Sequence, residues 1–287
     1  MKIGGGDFVS RILVIMLIFC SLALGQNGKI LVLDEPGKAV VRIVAICEYK
    51  LVLKEPKNKE VKIGISQLGD GFFVGDHSDI YDYIVTVDHI FKCDFTINSL
   101  ERNGLLQELD RDRSEDLSPG NIMALKDGNV VNILVYTHDG ISVDNIYTLF
   151  NSSFSKDSSD RVLLRGTLEK GVSHNHFPLM EDKVFDEIFY KNGIAKKIEV
   201  RGFLFMKNVW QFRYKDAEIE GVWEEFFKIN ELLDQGLSGS PTTYFHEGKL
   251  YAIGAVANAP SQESGRVFDM SNITIVKKSF LQKRNKK

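Results

Sequence analysis

Residues 235–241 read Gln-Gly-Leu-Ser-Gly-Ser-Pro, so that Gly236 and Gly239 stand on either side of Ser238. Glycine adopts backbone angles that are barred to other residues, which lets a tight turn hold a small side chain up at the surface. Such a turn can also aim successive N–H groups at one point, as in the binding of an oxyanion. The stretch is therefore a candidate nucleophile loop. Taken alone, a G-x-S-G stretch is better explained as an ordinary connection between two strands, and the segments upstream favour the nucleophile loop.

The chain around this stretch is organised as short apolar strands. Segments rich in valine and isoleucine recur at a spacing of about 8–12 residues with turn residues between them, a pattern typical of an antiparallel sandwich or barrel. A short helix is predicted within residues 98–121, another at 181–190, and a terminal helix at 272–283 capped by Ser271. The predicted strands cover residues 29–33, 39–53, 61–65, 68–74, 83–87, 129–137, 145–149, 161–164, 197–206, 209–214, 242–245, 250–256 and 267–268.

Composition and net charge are those of a globular protein without a basic surface for nucleic acid. The 287 residues are 44% hydrophobic and 26% charged, with a net charge of -3, which is ordinary for a globular chain. A net charge this close to zero gives no footprint for nucleic-acid binding. No nucleic-acid partner is therefore expected.

The N-terminus has the pattern of a secretory signal peptide. Lys2 and Arg11 precede the apolar run at residues 12–24, and Ala23 and Gly25 offer small residues at the positions that a signal peptidase reads. The run is shorter than the roughly 20 residues of a membrane span. We expect cleavage after residue 25 and a secreted or periplasmic protein. An uncleaved membrane anchor with an extracytoplasmic domain is the alternative.

Removal of the signal leaves two cysteines, Cys47 and Cys93. In an oxidising compartment they can form a disulfide, and two isolated buried thiols are the alternative. Neither lies in a C-x-x-C arrangement, and the His174–His176 pair has no further ligand cluster in the sequence beside it. The sequence thus predicts no metal site and no cofactor.

Three polar residues stand at the ends of apolar strands: His89, Asp160 and Ser238. Nucleophilic acyl transfer requires a hydroxyl, a base with a pKa near neutrality, and a carboxylate that fixes the tautomer of the base. These residues supply the three groups. Sequence spacing does not test this assignment, because a catalytic triad is defined in space.

Four segments in this order resemble the trypsin/chymotrypsin-like serine peptidases, including their bacterial secreted and periplasmic branches. They are Gly71–Val74 (Gly-Phe-Phe-Val), Ile84–His89 (Ile-Val-Thr-Val-Asp-His), Ser159–Leu164 (Ser-Asp-Arg-Val-Leu-Leu) and Gly236–Pro241 (Gly-Leu-Ser-Gly-Ser-Pro). Residues 251–258 are similar to the strand along which the substrate backbone pairs in that family. The resemblance spans residues 39–280.

The resemblance implies an all-β fold of two six-stranded antiparallel barrels with a cleft between them and a C-terminal helix. The first barrel would occupy residues 26–165, with the helical insertion near 98–121, and the second residues 166–287. His89, Asp160 and Ser238 would be the triad, and the N–H groups of Gly236 and Ser238 the oxyanion hole.

The substrate pocket, by the same resemblance, has its floor at Leu232. Its walls would be Ala257, Asn258, Ala259 and Gly265. No acidic residue stands where trypsin carries one, so the expected first-site residue of the substrate is apolar or small. His174 and His246 are alternatives that would favour acidic residues.

Departures from the pattern of this family occur at three places that bear on activity. Arg161 follows the aspartate, where it could perturb Asp160, and Val87 and Asp88 replace the usual small residues before the histidine. Leu237 precedes the serine where trypsin has an aspartate that pairs with a freed N-terminus, so activation by that ion pair is not supported.

The sequence therefore predicts a secreted or exported serine endopeptidase that acts on protein or peptide substrates through an acyl-enzyme. It contacts a membrane only if the N-terminal segment is retained. The alternatives are a catalytically inactive homologue that serves as a binding module, and an unrelated all-β secreted binding protein.

Overall fold

The computed structural model describes residues 35–55, 59–75, 82–102, 104–106, 116–137, 144–148, 160–167, 175–191, 196–206, 209–223, 225–234, 236–258 and 271–282. The predicted signal peptide, the predicted strands at 29–33 and 267–268, and His174, Ala259 and Gly265 lie outside these ranges. The described part of the chain is mostly β-strand, as predicted, with few helices.

The first half forms a six-stranded sheet. Its strand order is β4-β1-β2-β3-β6-β5, and the pairs of β2 with β3, β3 with β6 and β5 with β6 are antiparallel. The strands are β1 (Val40–Leu53), β2 (Glu60–Val74), β3 (Asp82–Thr86), β4 (Ile122–Tyr136), β5 (Asp144–Thr148) and β6 (Val162–Thr167).

Strand β2 changes character along its length. Val61, Ile63 and Ile65 are buried and alternate with exposed residues, the pattern of a strand with one solvated face. From Gly69 onward every residue is buried, since here both faces of the strand are covered. The sequence predicts two strands in this region, whereas the structure has one continuous strand.

The second half forms a closed six-stranded barrel in the order β10-β11-β12-β9-β8-β7, and the pairing of β10 with β7 completes the circle. Alternating apolar residues fill its interior, among them Ile198, Val200, Phe227, Ile253 and Ile273. The strands are β7 (Lys196–Met206), β8 (Val209–Trp223), β9 (Phe226–Ile229), β10 (Pro241–His246), β11 (Lys249–Asn258) and β12 (Ser271–Ile275).

Within the described residues, three short α-helices connect or follow these strands: α1 (Ile97–Arg102), α2 (Asp182–Asp186) and α3 (Lys278–Gln282). Helix α2 continues into a π-helical turn at Glu187–Lys191, and single 3-10 turns lie at Glu35–Ala39 and Asp88–Phe91. Among the described helices, none is both long and apolar enough to cross a membrane.

The predicted terminal helix at 272–283 is wrong in its first half. Residues 271–275 form β12, which pairs with β9 and β11, and the helix begins only at Lys278. Ile273 and Ile275 are fully buried in the barrel. Their period-two alternation and β-branched side chains favour a strand over a helix.

Two compact units make up the chain. One comprises residues 1–43, 68–89 and 134–287 and contains the closed barrel. The other comprises residues 44–67 and 90–133. The second unit has a core of its own, built around Leu51, Ile63 and Leu100, and its Cys47 and Cys93 form a disulfide with their Cα atoms 5.6 Å apart.

Candidate active site

Two strand ends bring His89 and Asp160 together. Strand β3 ends at Thr86, strand β6 begins at Val162, and these two residues are paired in the sheet. Because the strands are antiparallel, the chain leaving β3 and the chain entering β6 lie at the same edge. His89 sits three residues beyond that pair, and Asp160 two residues before it.

The histidine and the aspartate are joined by two hydrogen bonds. Nδ1 of His89 lies 2.7 Å from Oδ2 of Asp160, and the backbone N–H of His89 donates to Oδ1 at 3.0 Å. An ionised carboxylate only accepts hydrogen bonds, so a neutral His89 carries its proton on Nδ1 and leaves Nε2 as an acceptor. Both side chains are partly exposed, His89 at 32% and Asp160 at 19%. The geometry is that of an oriented general base.

The backbone of Asp160 is left-handed, with φ of 45°. Aspartate tolerates this region better than most residues, and strained backbone is concentrated at functional sites. The carbonyl of Asp160 also accepts from the N–H of Asp88 at 3.3 Å. Asp160 is thus held at this edge by hydrogen bonds to both its carboxylate and its backbone carbonyl.

Arg161 does not engage Asp160. Its guanidinium donates to the carbonyl of Ile275, lies 3.0 Å from the carboxylate of Glu225, and stacks over Phe280 at 5.0 Å. The sequence left open a perturbation of Asp160 by its neighbour. The structure instead uses Arg161 to tie the start of β6 to β12 and α3.

Ser238 occupies a tight turn. The N–H of Ser240 donates to the carbonyl of Leu237 at 2.9 Å, which closes a four-residue turn with Ser238 and Gly239 at its centre. Gly239 has φ of 84°, the value that the third position of a type II turn requires. We call residues 236–240 the nucleophile loop. Its sequence forms this turn because a glycine stands at the third position, where positive φ is needed.

Asp70 connects the nucleophile loop to the strand that precedes the histidine. The N–H of Asp70 donates to the carbonyl of Ser238 at 2.7 Å, and the carbonyl of Asp70 accepts from the hydroxyl of Thr86 at 2.7 Å. A Cβ on Gly239 would overlap the Asp70 carbonyl. The loop is therefore attached to Asp70 of β2, and Asp70 in turn is bonded to Thr86 at the end of β3, three residues before His89. Although both residues are described, the structure shows no hydrogen bond between the Ser238 hydroxyl and His89.

Two backbone N–H groups of the loop are available as donors. Neither the N–H of Gly236 nor that of Ser238 donates to another residue in the described part of the chain. The neighbouring carbonyls are occupied, that of Leu237 by Ser240 and that of Gly236 by Arg42. The carbonyl of Leu237 lies in the same peptide plane as the N–H of Ser238, so its hydrogen bond with Ser240 fixes the direction of that N–H.

The predicted pocket residues are only partly described. Leu232 is 42% exposed, and its carbonyl accepts from Nζ of Lys215 at 2.7 Å. Ala257 is buried within β11, and Asn258 ends that strand opposite Asn272 of β12. His246 ends β10, where its ring stacks on Tyr244. The assignment of a substrate pocket to these positions stays a prediction.

The sequence reasoning missed a buried ion pair beneath the loop. Nη1 of Arg42 lies 2.7 Å from Oδ1 of Asp70, and both residues are buried. Burial raises the pKa of Asp70 to about 6, although the charge of Arg42 and hydrogen bonds from Ser240 and Phe203 act in the opposite direction. Burial likewise lowers the pKa of Arg42. A single charged residue within an apolar strand was the signal, because such residues are rarely buried without a partner.

Comparison with known proteins gives structural neighbours only. No protein-family model matches the chain, and no curated protein matches its sequence. The crystal structure of the protease Anisep from Arthrobacter nicotinovorans is similar with a TM-score of 0.50 and 8% identity, over 88% of this chain and 96% of that one. A thermostable serine protease, AL20, from an extremophilic microorganism gives a TM-score of 0.45 and 9% identity over the same shares. The likeness to Anisep shows that the chain has a two-barrel fold like that of this protease.

Proposed function

We propose that this chain is an exported serine endopeptidase in which Ser238, His89 and Asp160 form the catalytic triad. The observation that carries the proposal is the pairing of His89 Nδ1 with Asp160 Oδ2 at 2.7 Å, in the unit that also holds the Ser238 turn. The pairing leaves Nε2 of His89 as the acceptor that a serine nucleophile requires. The protease-like fold supports the same assignment.

In the proposed reaction, the hydroxyl of Ser238 attacks the carbonyl carbon of the scissile peptide while Nε2 of His89 takes its proton. The tetrahedral intermediate collapses to an acyl-enzyme as His89 returns that proton to the leaving amine. Water then repeats the sequence and releases the acid. Asp160 stays ionised throughout and stabilises the imidazolium that forms at each step.

The oxyanion of the tetrahedral intermediate would be held by the N–H groups of Gly236 and Ser238. Both are free of hydrogen bonds to other described residues. Preorganised donors of this kind cost no reorganisation during the reaction, and the loss of one typically lowers the rate about 10²–10³-fold.

We further propose that the protein works outside the cytoplasm after cleavage of its signal peptide. The Cys47–Cys93 disulfide supports this, because disulfides persist mainly in oxidising compartments.

For specificity, the exposed apolar side chain of Leu232 supports a substrate with an apolar or small first-site residue. A cleavage profile on a peptide library tests that preference.

The proposed activity is tested with a fluorophosphonate probe, which reacts with activated serine hydroxyls. We expect the mature protein to be labelled at Ser238 and the Ser238→Ala variant to remain unlabelled. Ser66→Ala is the matched control, since Ser66 is an exposed strand residue and its loss should leave labelling unchanged.

A well-folded sample that resists labelling would contradict the enzyme proposal. It would favour the second candidate, an inactive homologue that binds proteins. The observation in favour of that candidate is that Ser238 and His89 share no hydrogen bond in the structure.

A further inference from the structure

The pair formed by Arg42 and Asp70 contacts the nucleophile loop at three places. The N–H of Asp70 donates to the carbonyl of Ser238 at 2.7 Å, and the hydroxyl of Ser240 donates to Oδ2 of Asp70 at 2.7 Å. Nη1 of Arg42 donates to the carbonyl of Gly236 at 3.4 Å. The first, third and fifth residues of the loop are therefore all attached to this one pair.

The pair is itself anchored to the barrel. Oδ2 of Asp70 accepts from the backbone N–H of Phe203 at 2.8 Å, and Nη2 of Arg42 donates to the carbonyl of Phe203 at 2.7 Å. Nη1 of Arg42 also donates to the carbonyl of Gly69 at 3.2 Å. Strands β1, β2 and β7 thus converge on two side chains, which have little freedom to move.

Glycines permit this close approach. A Cβ on Gly202 of β7 would overlap the hydroxyl of Ser240 and lie 2.6 Å from Oδ2 of Asp70. A Cβ on Gly239 would overlap the backbone carbonyl of Asp70 and lie 2.6 Å from the hydroxyl of Thr86. The loop and the aspartate are packed at a distance that no larger residue at these positions would allow.

Stability alone does not explain the pair. Two charges removed from water are costly, and replacing a buried ion pair by apolar residues of similar volume is often neutral or stabilising. Leu237, the residue before the serine, cannot hold the loop as the carboxylate of Asp70 does. Its side chain is apolar, 4% exposed and packed in the barrel core. The only carboxylate that hydrogen bonds the loop within the described residues comes from β2.

We propose that Asp70, held by Arg42, is the positioning residue of the nucleophile loop. It fixes the Leu237–Ser240 turn so that the Ser238 hydroxyl and the two N–H donors keep their directions. Asp70 acts through Ser240 and the Ser238 carbonyl and does not touch substrate. This inference rests on the proposed function for the role of Ser238, but the fixing of the loop is measurable without any activity.

The test uses Ser240→Ala, which removes one attachment of the loop and leaves the ion pair in place. Because a hydrogen bond to a charged group is strong, its loss should lower the rate of fluorophosphonate labelling by roughly tenfold to a hundredfold. Asp70→Asn should lower the rate at least as much. Adding Ser240→Ala to Asp70→Asn should give little further loss, because both changes break the same contact.

Thr242→Val is the matched control. Thr242 is fully buried two residues beyond Ser240, and its hydroxyl has no hydrogen-bond partner among the described residues. Valine has nearly the same shape, so labelling should proceed at the rate of the unaltered protein. A fall as large as that of Ser240→Ala would show that any change to a buried hydroxyl here slows labelling, and would overturn the proposal.

Hydrogen exchange of the full chain separates this proposal from the proposed function. In Ser240→Ala, the amides of residues 239 and 240 should exchange about tenfold faster or more than in the unaltered protein, while that of Ile253 in β11 keeps its protection. Unchanged exchange in the loop would overturn the positioning role, even in a protein that labels normally. If the unaltered protein never labels but the loop loosens in the variants, the proposed activity fails and the positioning role stands.

Discussion

Asp160 combines an unfavourable backbone with the two hydrogen bonds that orient His89. Asparagine has the same shape and also tolerates the left-handed region, so Asp160→Asn should fold normally. It cannot hold a neutral imidazole in the tautomer that activates a serine, because its amide nitrogen can donate to Nδ1. We expect labelling of Ser238 to slow by about 10⁴-fold, measured as a rate under single-turnover conditions.

Asp160→Ala separates backbone strain from chemistry. It removes the carboxylate as well, but alanine pays about 1–2 kcal/mol for the left-handed conformation at φ of 45°. Thermal unfolding should therefore place Asp160→Ala below Asp160→Asn in stability, although labelling of Ser238 is slowed in both variants. Equal stabilities would mean that the strain at residue 160 is relieved elsewhere.

The raised pKa of Asp70 predicts that the free energy of unfolding depends on pH. Arg42 faces it from β1, the Phe203 N–H from β7, and Ser240 from the nucleophile loop. Burial raises its pKa from 3.8 to about 6, so between these values the folded protein binds a proton that the unfolded chain does not. The contribution of Asp70 to stability is fully present below about pH 4. It falls as the pH rises through about 6, by about 3 kcal/mol in total.

The measurement is urea unfolding of the native protein and of Asp70→Asn between pH 4 and pH 8. The free energy of unfolding of the native protein, relative to that of Asp70→Asn, should fall as the pH rises to about 6, and then level off. A difference that moves the other way would mean that the ion pair with Arg42 outweighs the cost of burial.

At this scale, the sequence identified the residues that have local signals. His89 and Asp160 stand at the ends of apolar strands, and the structure joins them. Arg42 and Asp70 were missed because their partnership depends on four separate segments meeting, which no short motif encodes. The sequence shows Arg161 only beside Asp160, whereas the partners of Arg161 come from β12, α3 and the turn at Glu225.

The site depends on tight turns, and a glycine in such a turn can be needed for its positive φ, for lack of space for a Cβ, or for both. Gly248 and Gly239 distinguish these two requirements. Gly248 has φ of 77°, and a Cβ placed on it would meet nothing within 4 Å, whereas Gly239 has φ of 84° and its Cβ would overlap the Asp70 carbonyl. Gly248→Ala should cost only the conformational penalty of about 1–2 kcal/mol. Gly239→Ala should exceed about 4 kcal/mol, because backbone must also move.

Chemical denaturation of the two variants checks this prediction. If Gly239→Ala were no less stable than Gly248→Ala, the contact between the nucleophile loop and β2 would be looser than the structure indicates. The sequence alone does not distinguish these glycines, since both lie in turns between apolar segments.

Strand and helix boundaries show where local patterns give way to packing. Residues 272–283 carry enough apolar side chains for a helix and follow Ser271 in the capping position, a pattern that predicts a helix. In the structure, Ile273 and Ile275 complete the wall of the closed barrel between β9 and β11. Barrel closure needs a sixth strand, and that requirement comes from residues far away in sequence.

At the scale of the whole molecule, the disulfide and the candidate triad belong to different compact units. Cys47 and Cys93 lie in the unit of residues 44–67 and 90–133, whereas His89, Asp160 and Ser238 lie in the other. The disulfide closes a loop of 46 residues, and removal of such a cross-link typically costs about 2–4 kcal/mol by releasing the unfolded chain. Its effect should therefore concentrate in the smaller unit.

We expect the double variant Cys47→Ala, Cys93→Ala to expose the amides of Leu51 and Ile63, which pack beside Cys47 in the core of that unit, to faster hydrogen exchange. The amides of Ile253 and Ile273 in the closed barrel should keep their protection, because their core does not include either cysteine. Fluorophosphonate labelling of Ser238 should also persist at temperatures below the transition. If both cores lost protection together, the two units would unfold as one cooperative body, and the disulfide would stabilise the candidate active site as well as its own unit.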